Sequence, residues 1–563
     1  MNKNNHQIFT VLFGGAAGDG IREAGMNFGR LLTVLGYSVV VTHDYPSLIR
    51  GGHNFTRVTF SNEIVTSDYR QIDILVAFNE ETIVVHQKEL ETDGLCFFDQ
   101  ALTKIQADKA KIALPISEAM KKIGASPIMR SSVVLGALCN YFSIDLIELN
   151  KIMVEIFKDK ASDLNIELAR IGYETAEIIK HRPHRLPISN LKHASLLSGN
   201  QAVAEGMAAA GLKFYIAYPM TPASSIQEYL AKNKSKLQTK VIQPENEIAA
   251  INMAIGSAYA GARSAVGTSG GGFALMQEAF SLAGINETPL LVVESQRPGP
   301  ATGVPTGTTQ GDLHFMRHAG HGEFPRLVLA PGDVEETYLL AGLALNLAWK
   351  YQIPAVVLLD KHLSESCATV NLASDQVREE SPKLWDGQGL YQRYTITKDG
   401  VSPLAYPGTA NAIVKATSYE HDEMGIASEE PAEIKAMMDK RYAKAVGLMK
   451  EAIPFVKVYG DAKSETAIIF WGSTKGAVLE AFKYLKRPCR LIQVLSIEPF
   501  SVTAFETAVK GVKNFISAEV NYNGQLAQLI REKTGQKIDK QILRYDSKPF
   551  DPLELANEIN KKI

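Results

Sequence analysis

Cysteine is scarce in this sequence, and the residues present are scattered. Only four occur among 563 residues: Cys96, Cys139, Cys367 and Cys489. No two of them are close enough to form the Cys-x-x-Cys pairs that bind metals or undergo redox exchange. Because an iron–sulfur cluster needs about four thiolates, we expect the chain to hold no cluster. The thiols are expected to be buried as small apolar groups.

Long apolar runs and a strong net charge are also absent. No run approaches the ~18 apolar residues that a membrane helix needs. The net charge of −2 creates no field that would attract nucleic acid or an anionic membrane. Residues 1–7 are polar and lead into a strand-like run, so we expect no signal peptide. These absences predict a cytoplasmic protein with neither a nucleic-acid nor a membrane partner.

What the sequence contains is typical of a globular protein with several domains. Hydrophobic residues make up 45% and charged residues 21% of the chain. A length of 563 residues exceeds what one hydrophobic core supports, so three or four domains are expected. Strand-like runs alternate with helix-like segments, which predicts an α/β protein whose doubly wound domains have parallel sheets covered by helices.

The predicted helices and strands fall into three groups. The first has strands at 8–13, 37–43, 73–78 and 94–99, and a helix at 21–35. The second has helices at 198–211, 247–260, 273–284 and 334–350, and strands at 214–219, 264–269, 289–294 and 355–359. The third has strands at 466–471, 490–495 and 514–519, and a helix at 476–485. Residues 181–187, rich in proline and basic side chains, are typical of a linker, and residues 376–450 are less regular.

A glycine-rich turn near the N-terminus is a candidate phosphate site. It contains Gly14, Gly15, Gly18, Asp19 and Gly20, between a predicted strand and a predicted helix. Glycines let the backbone approach a ligand closely, and a helix N-terminus favours phosphate. A nicotinamide-dinucleotide fold, with Asp44 ending the second strand, would need glycine at position 23, where Glu23 stands. A tight turn without a ligand explains this motif equally well.

Three polar clusters follow predicted parallel strands, at the edge where open α/β sheets bind ligands. In the first, Thr221 lies between two prolines after strand 214–219. A helix N-cap made by Thr221 or Ser224 would use the same hydroxyls. In the second, Glu245 and Glu247 open an alanine-rich helix, where carboxylates are usually partners of the helix dipole. Both clusters therefore allow a structural interpretation beside a catalytic one.

The third cluster is the long loop of residues 296–312. It is rich in glycine, proline and threonine and follows a predicted buried strand. Loops of this length are rarely mere connections. Arg297 lies among many hydroxyl groups. This composition suits a carboxylate ligand, because a guanidinium binds a carboxylate through two hydrogen bonds.

Taken in order, these motifs resemble the alpha subunit of 2-oxoacid:ferredoxin oxidoreductases. They are YPMTP at 218–222, PENE at 244–247, TSGGG at 268–272, QRPGPATGVPT at 296–306 and QGD at 310–312. The N-terminal unit, with the glycine turn and an Arg-Gly-Gly motif at 50–52, resembles the gamma domain that many of these enzymes carry fused ahead of alpha. Residues 471–474 and 519–526 are similar to the transketolase C-terminal-like domain. The resemblance covers nearly the whole chain.

The resemblance implies a division of the chain and a set of site residues. It implies a gamma-type domain at 1–182, a pyrimidine-binding thiamine-diphosphate domain at 193–375, a connecting segment at 376–452 and a transketolase C-terminal-like domain at 453–563. Glu247 corresponds to the glutamate placed against the aminopyrimidine N1′, since its spacing to Gly256 fits and that of Glu245 does not. The remaining assignments are Thr221 and Pro219 at the cofactor, Arg297, Thr221, Thr302 and Thr306 at the substrate, and the glycine turn at CoA.

The resemblance also implies partners. The Gly-Asp-Gly…Asn pattern that binds magnesium and diphosphate is absent, because the Gly18–Gly20 match lacks the asparagine. We therefore expect thiamine diphosphate to be shared with a beta subunit that carries magnesium and an iron–sulfur cluster. The expected assembly is (αβ)2, with ferredoxin as electron acceptor and a 2-oxoacid and CoA as substrates. The motifs favour 2-oxoglutarate.

Alternative functions remain open at this point. Pyruvate or branched-chain 2-oxoacids could replace 2-oxoglutarate, because a partner can build part of the pocket. A self-sufficient thiamine decarboxylase or transketolase is disfavoured by the missing diphosphate module, and a nicotinamide dehydrogenase by Glu23. A scaffold that binds CoA and a partner, without catalytic residues of its own, is disfavoured by the presence of Glu247, Thr221 and Arg297.

Overall fold

A computed structural model describes residues 7–47, 52–102, 104–126, 129–157, 162–175, 184–189, 191, 195–372 and 375–563. The chain divides into two compact units. The first comprises Met1–Leu197 with Ser366–Asn371 and Asp551–Leu553, and the second comprises Ser198–Glu365, Leu372–Phe550 and Glu554–Ile563. Within the described ranges, no helix has the length and apolar character needed to cross a bilayer.

The first unit is built around an eight-stranded sheet. Its elements are β1 (Phe9–Ala16), α1 (Ile21–Val34), β2 (Ser38–Asp44), β3 (His53–Ser61), β4 (Ile72–Ala77), α2 (Glu80–His86), β5 (Leu90–Asp99), β6 (Lys111–Leu114), α3 (Ile116–Ile123), α4 (Arg130–Tyr141), α5 (Leu146–Phe157), α6 (Ser162–Tyr173) and β7 (Ser195–Ser198). The strand order is β6-β5-β4-β1-β3-β2-β14-β7, where β14 is Cys367–Val370.

This sheet is only half parallel. Strands β1, β4, β5 and β6 are parallel neighbours, as expected of a doubly wound domain. Strand β3 instead pairs antiparallel with both β1 and β2, and β2 pairs antiparallel with β14. The four predicted strands are present, whereas β3, β6, β7 and β14 are additional. Helix α1 buries Phe28 against Phe60 of β3, with 5.9 Å between the ring centroids.

Two sequence motifs of the first unit lie partly outside the described residues. The residues outside the described ranges include Arg50 and Gly51 of the Arg-Gly-Gly motif and residues 181–183 of the predicted linker. The described end of that linker lies against the first unit. His184 donates its backbone N–H to the Tyr141 carbonyl, and the Tyr37 hydroxyl donates to the Pro187 carbonyl at 2.7 Å.

The second unit begins with a seven-stranded sheet flanked by helices. Its elements are α7 (Gly199–Ala209), β8 (Phe214–Ile216), α8 (Ser224–Lys232), α9 (Lys234–Leu237), β9 (Lys240–Ile242), α10 (Glu247–Tyr259), β10 (Ser264–Thr268), α11 (Gly270–Leu275), α12 (Gln277–Ile285), β11 (Leu290–Gln296), α13 (Leu313–Arg317), β12 (Leu327–Leu329), α14 (Val334–Tyr351), β13 (Pro354–Asp360) and α15 (Lys361–Glu365). The order is β18-β12-β13-β11-β10-β8-β9, parallel except for the edge strand β18 (Ser496–Glu498).

A five-stranded sheet completes the second unit. Its segment contains α16 (Pro431–Ala452), β15 (Val456–Gly460), β16 (Thr466–Phe470), α17 (Thr474–Phe482), β17 (Arg490–Val494), β18, α18 (Val502–Ala508), β19 (Asn514–Glu519), α19 (Gln525–Thr534), β20 (Lys540–Leu543) and α20 (Pro552–Lys562). The order is β15-β17-β16-β19-β20. One core joins the two sheets, since Ile251 and Val266 cluster with Trp471 and Ile492. The predicted α/β class is therefore confirmed, and all four cysteines are buried free thiols.

The segment predicted to be irregular contains a long helix. Residues 375–430 form isolated bridges, such as Leu384 with Leu404, but α16 then runs for 22 residues. Its buried positions include Lys440 and Lys444, whose ammonium groups reach the fully buried carboxylate of Glu287. This helix is thus attached to the second unit by buried charges as well as by apolar contacts.

Candidate active site

The candidate site lies at the carboxyl edge of the seven-stranded sheet. Strands β8, β10, β11 and β13 are parallel, so the residues that follow them meet at one edge. Thr221 follows β8, the glycine run 270–272 follows β10, and Arg297 follows β11. Glu247 opens α10, which follows β9. The structure therefore brings the three predicted catalytic residues to the same edge.

Glu247 is a buried carboxylate and not a helix cap. Its relative exposure is 4%, whereas Glu245 is exposed. The cap of α10 is Asn246, whose side chain accepts the Ala249 N–H at 2.9 Å. No group in the described part of the chain donates a hydrogen bond to the Glu247 carboxylate. The side chain is largely buried, but its unbonded carboxylate oxygens keep some accessible surface, so a donor from another molecule can reach them.

The glycine run is bracketed by the acidic groups of the site. A Cβ at Gly272 would lie 2.8 Å from Glu247 Oε1 and would also overlap the Thr268 hydroxyl. A Cβ at Gly270 would lie 2.7 Å from Asp312 Oδ2. Gly271 faces the Arg297 loop, with the Ala301 carbonyl 3.9 Å from its Cβ position. Glycine is therefore needed here for close packing around Glu247.

The turn that carries Thr221 is held from two sides. Helix α8 has Ala223 as its N-cap and no side-chain capping bond, so neither Thr221 nor Ser224 caps it. Arg297 Nη1 donates to the Thr221 carbonyl at 2.8 Å. The Thr221 hydroxyl is half-buried and bonds no group in the described ranges, and Pro219 is exposed on the same turn. The hydroxyl is thus available to a ligand.

Arg297 lines a cleft of about 430 Å³. Thr308, Thr309 and Asp312 from the same loop also line it, together with residues 521–523, Gln525 and Tyr545. None of the three threonines predicted to bind substrate lines it: Thr221 lies outside this lining, Thr302 is exposed to solvent and Thr306 is half-buried. Partial burial lowers the pKa of the Arg297 guanidinium from its usual value.

The loop is fastened to the rest of the second unit by two glutamines. Gln296 accepts the Asp312 N–H at 2.9 Å and donates to the Leu359 carbonyl at 2.9 Å, which joins the two ends of the loop. Gln310 donates to the Trp471 carbonyl at 2.8 Å. These bonds hold the loop in a defined conformation, so Arg297 has a fixed position relative to Thr221.

Two acids at this edge, Glu294 and the cleft-lining Asp312, were assigned no role from the sequence. Glu294 is fully buried on β11, and neither carboxylate oxygen has a hydrogen-bond partner within the described residues. Burial, with the nearby Asp312 and Asp360, raises the pKa of Glu294 well above its usual value. Burial also raises the pKa of Asp312 to about 6. Burial therefore favours the neutral form of Glu294.

The glycine turn of the first unit divides into packed and open positions. A Cβ at Gly14 would lie 2.9 Å from the Thr82 hydroxyl, and one at Gly15 would lie 2.8 Å from Ile21 Cδ1. Gly18 and Gly20 instead have positive φ angles of 95° and 74°, and nothing lies within 4 Å of the Gly18 Cβ position.

Asp19 closes the turn rather than facing outward. Its Oδ2 accepts the Ala16 N–H at 2.9 Å, and its Oδ1 pairs with Arg130 at 2.9 Å. The turn thus has an open backbone around Gly18 and a carboxylate that is already occupied. Of the five predicted CoA contacts, Gly18 is exposed and has open space at its Cβ position, whereas Gly20 is buried.

Comparison with known proteins identifies the family. Residues 205–440 match the model described as pyruvate flavodoxin/ferredoxin oxidoreductase, thiamine diP-binding, and residues 10–175 match the model for pyruvate ferredoxin/flavodoxin oxidoreductase. The alpha subunit of 2-oxoacid:ferredoxin oxidoreductase from Sulfolobus sp is 33% identical, over 98% of this chain and 96% of the relative. The 2-oxoglutarate synthase subunit KorA of Methanocaldococcus jannaschii is 32% identical, over 54% of this chain and 82% of its own.

A solved structure extends the similarity to the whole fold. The 2-oxoglutarate:ferredoxin oxidoreductase from Magnetococcus marinus, with 2-oxoglutarate, coenzyme A and succinyl-CoA bound, is 31% identical, with a TM-score of 0.90 over 99% of each chain. The architecture, the order of the motifs and the nearly full-length relatives agree. This chain belongs to the 2-oxoacid:ferredoxin oxidoreductase family, as an alpha-type subunit of an enzyme with more than one kind of subunit.

Proposed function

We propose that this chain supplies the pyrimidine-facing half of a thiamine-diphosphate site and the groups that bind a 2-oxoacid, with 2-oxoglutarate the favoured substrate. The reaction converts the 2-oxoacid and CoA into acyl-CoA and CO2 while ferredoxin is reduced. The observation that carries this proposal is Glu247, a largely buried residue beside a glycine run, whose carboxylate has no donor within the described residues. The relatives named for 2-oxoglutarate support the choice of substrate.

The residues at this edge fit the cofactor. An unpaired buried carboxylate matches a protonated ring nitrogen, and the glycine run leaves a surface without side chains beside it. When bound, thiamine diphosphate would supply the electron sink that decarboxylation of a 2-oxoacid requires. Glu247 would hold a proton at the pyrimidine N1′. Arg297 would bind the substrate carboxylate, and the Thr221 hydroxyl would donate to a substrate oxygen.

A second chain is needed to complete the site. We propose that a beta subunit carries magnesium, the diphosphate-binding groups and an iron–sulfur cluster, in an (αβ)2 assembly. One face of α10, next to Glu247, is exposed and carries apolar side chains beside the exposed Asn252, with Ile248 and Met253 50% and 41% exposed. Gly256 lies on the same face with nothing within 4 Å of its Cβ position. A glycine inside a helix costs up to about 1 kcal/mol, and close approach of a partner would explain its presence.

The assay that tests the proposed function compares the chain alone with the chain purified together with its native partner. We expect CoA-dependent viologen reduction from the complex, with the highest kcat/KM for 2-oxoglutarate among 2-oxoglutarate, pyruvate and branched-chain 2-oxoacids. The chain alone should be inactive. Turnover by the chain alone, with iron absent by elemental analysis, would overturn the partner proposal. A higher kcat/KM for pyruvate would overturn the choice of substrate.

The partner-facing surface has its own matched pair of variants. Met253→Glu places a charge on the exposed face of α10 and should abolish co-purification with the partner. Val34→Glu, at an exposed position of α1, should leave co-purification intact. If both variants co-purify normally, the face of α10 is not the contact surface.

We also propose that the first unit binds CoA through the open part of the glycine turn. Gly18→Val should raise the CoA concentration needed for half-maximal rate while leaving CO2 release without CoA nearly unchanged. A β-branched residue is strained at a φ of 95°, so the turn must change conformation. The measurement is a CoA titration of variant and parent complexes.

Gly124→Val is the matched control for this titration. Gly124 lies in the same unit, has a φ of 69° and has nothing within 4 Å of its Cβ position. It therefore carries the same backbone strain away from the turn. If Gly18→Val and the parent give overlapping CoA titrations, or if Gly124→Val shifts the titration equally, the turn has only a structural role.

A further inference from the structure

Asn200 lies at the start of helix α7, and its side chain forms hydrogen bonds to the turn that contains Thr221. Its side chain is fully buried. Nδ2 donates to the Pro222 carbonyl and to the Ser225 hydroxyl, both at 2.8 Å. Because a carbonyl oxygen only accepts hydrogen bonds, the amide nitrogen must face Pro222, which fixes the orientation of the amide. Asn200 therefore reaches from one helix into the loop between β8 and α8.

This amide is not required by its own helix. Helix α7 begins with a capping box, in which Ser198 accepts the Gln201 N–H and Gln201 accepts the Ser198 N–H at 2.9 Å. Asn200 Oδ1 is buried and has no donor in the described part of the chain. An unpaired buried carbonyl oxygen is unfavourable. The retained amide is thus explained by its two bonds to the Thr221 turn and not by helix capping.

Two consecutive carbonyls of that turn are held from different elements. Arg297, after β11, donates to the Thr221 carbonyl, and Asn200 donates to the Pro222 carbonyl. The Thr221 backbone is therefore fixed from the Arg297 side and from the α7 side, while its hydroxyl stays unbonded within the described residues. Removing the Asn200 amide would leave the turn held only by Arg297, and removing the Arg297 guanidinium would leave it held only by Asn200.

We propose that Asn200 is a positioning residue that sets Thr221 relative to Arg297 for one substrate carboxylate. This inference rests on the proposed function, in which Thr221 and Arg297 bind the 2-oxoacid. Asn200 itself touches neither substrate nor cofactor. Its effect reaches the reaction through the conformation of the Thr221–Pro222 turn.

The test is a double-mutant cycle in the assembled enzyme. Asn200→Ala should raise the KM for the 2-oxoacid about tenfold and lower kcat/KM by roughly 10–100-fold, since small misplacements of substrate-binding groups have effects of this order. In a Thr221→Val background the same substitution should lower kcat/KM by less than about threefold, because the hydroxyl it positions is already absent. Equal losses in both backgrounds would overturn the proposal.

Two further measurements distinguish failure of the positioning role of Asn200 from failure of the proposed function. Hydrogen–deuterium exchange at C2 of bound thiamine diphosphate should be the same in Asn200→Ala and the parent, because Glu247 lies on a different element. Slowed exchange would show a general disruption and contradict a positioning role. If the parent complex has no 2-oxoacid activity, the proposed function itself fails.

A second variant covers the case in which Asn200→Ala does not fold. Ser225→Ala removes one of the two acceptors and leaves the Pro222 carbonyl bonded to Asn200. It should give a smaller rise in the same KM, again lost in the Thr221→Val background. An unchanged KM in Ser225→Ala, with Asn200→Ala unfolded, would contradict the proposal.

Discussion

Glu247→Gln should slow hydrogen–deuterium exchange at C2 of bound thiamine diphosphate by about 10²–10⁴-fold in the assembled enzyme, the range typical of a positioned acid–base group. Glutamine preserves the size of the side chain and removes its ionisable proton. The Glu247 residue is 4% exposed and packs against Gly272, where a Cβ would lie 2.8 Å from Oε1. The site can therefore accept an isosteric side chain without rearrangement, and the loss should be chemical.

Glu245→Gln is the control, two residues earlier in the chain. Glu245 is exposed and lies before the Asn246 cap. A carboxylate at an exposed helix start contributes only about 0.3–1 kcal/mol of stability, so exchange should remain close to that of the parent. If Glu245→Gln abolishes exchange and Glu247→Gln does not, the wrong carboxylate has been assigned. If neither matters, the chain is a scaffold and its partner supplies the acid–base group.

The three central site residues could be predicted because their positions follow from a general rule. Thr221, Glu247 and Arg297 lie in the loops or helix starts that follow strands β8, β9 and β11 of one sheet. In parallel sheets these ends lie at one edge, so motifs distant in sequence were expected to converge. The structure brings them there.

Other features of the site depend on contacts that no local pattern contains. Asn200 looks like an ordinary residue of an alanine-rich helix, and its bond to Pro222 spans 22 positions. Glu294 lies on a buried strand just before the 296–306 motif and is not part of it. The positions of Thr302 and Thr306 depend on how the loop folds back, where Val304 donates its N–H to the Pro298 carbonyl. The composition of the 296–312 loop predicts hydroxyl groups near Arg297, but it does not identify which threonines provide them.

Helix α16 was missed because its buried face is charged. Apolar residues at helical spacing are the main sequence signal for a helix. The buried positions of α16 include Lys440, Arg441 and Lys444 beside Met437 and Leu448. Their partners lie far away in the sequence, as with Glu287, so the pattern resembled a solvated loop. Similarly, the alternation of strand-like and helix-like segments in the sequence does not indicate that β3 pairs antiparallel with its neighbours.

The buried charges that attach α16 produce the second large predicted effect. Lys440 Nζ lies 2.7 Å from Glu287 Oε1, and Lys444 Nζ pairs with Oε2. The Glu287 carbonyl accepts from Arg393 at 2.8 Å. Burial alone would raise the pKa of Glu287, but the ammonium groups of Lys444 and Lys440 hold it well below its usual range. Burial lowers the pKa of Lys444 to about 7 against the opposing effect of Glu287.

Glu287→Gln should destabilise the second unit by about 3–5 kcal/mol, because removing one partner of a buried ion pair leaves the others without compensation. Here two lysine side chains would remain buried without the carboxylate that compensates their charge. Urea unfolding followed by tryptophan fluorescence measures the change, since Trp349, Trp385 and Trp471 all lie in the second unit. Asp439→Asn, which breaks the exposed pair with Lys435 on the same helix, should change stability by less than about 0.5 kcal/mol.

The loss in Glu287→Gln should depend on pH in a defined direction. An unfolded lysine keeps its proton up to about pH 10.4, whereas folded Lys444 in the parent releases it near 7. Without Glu287 the pKa of folded Lys444 falls further. The free energy of unfolding of the variant therefore begins to rise at a lower pH than that of the parent. The difference between the two proteins should therefore be largest at about pH 5 and shrink up to about pH 7. A pH-independent loss no larger than that of Asp439→Asn would show that the charges around Glu287 do not anchor α16.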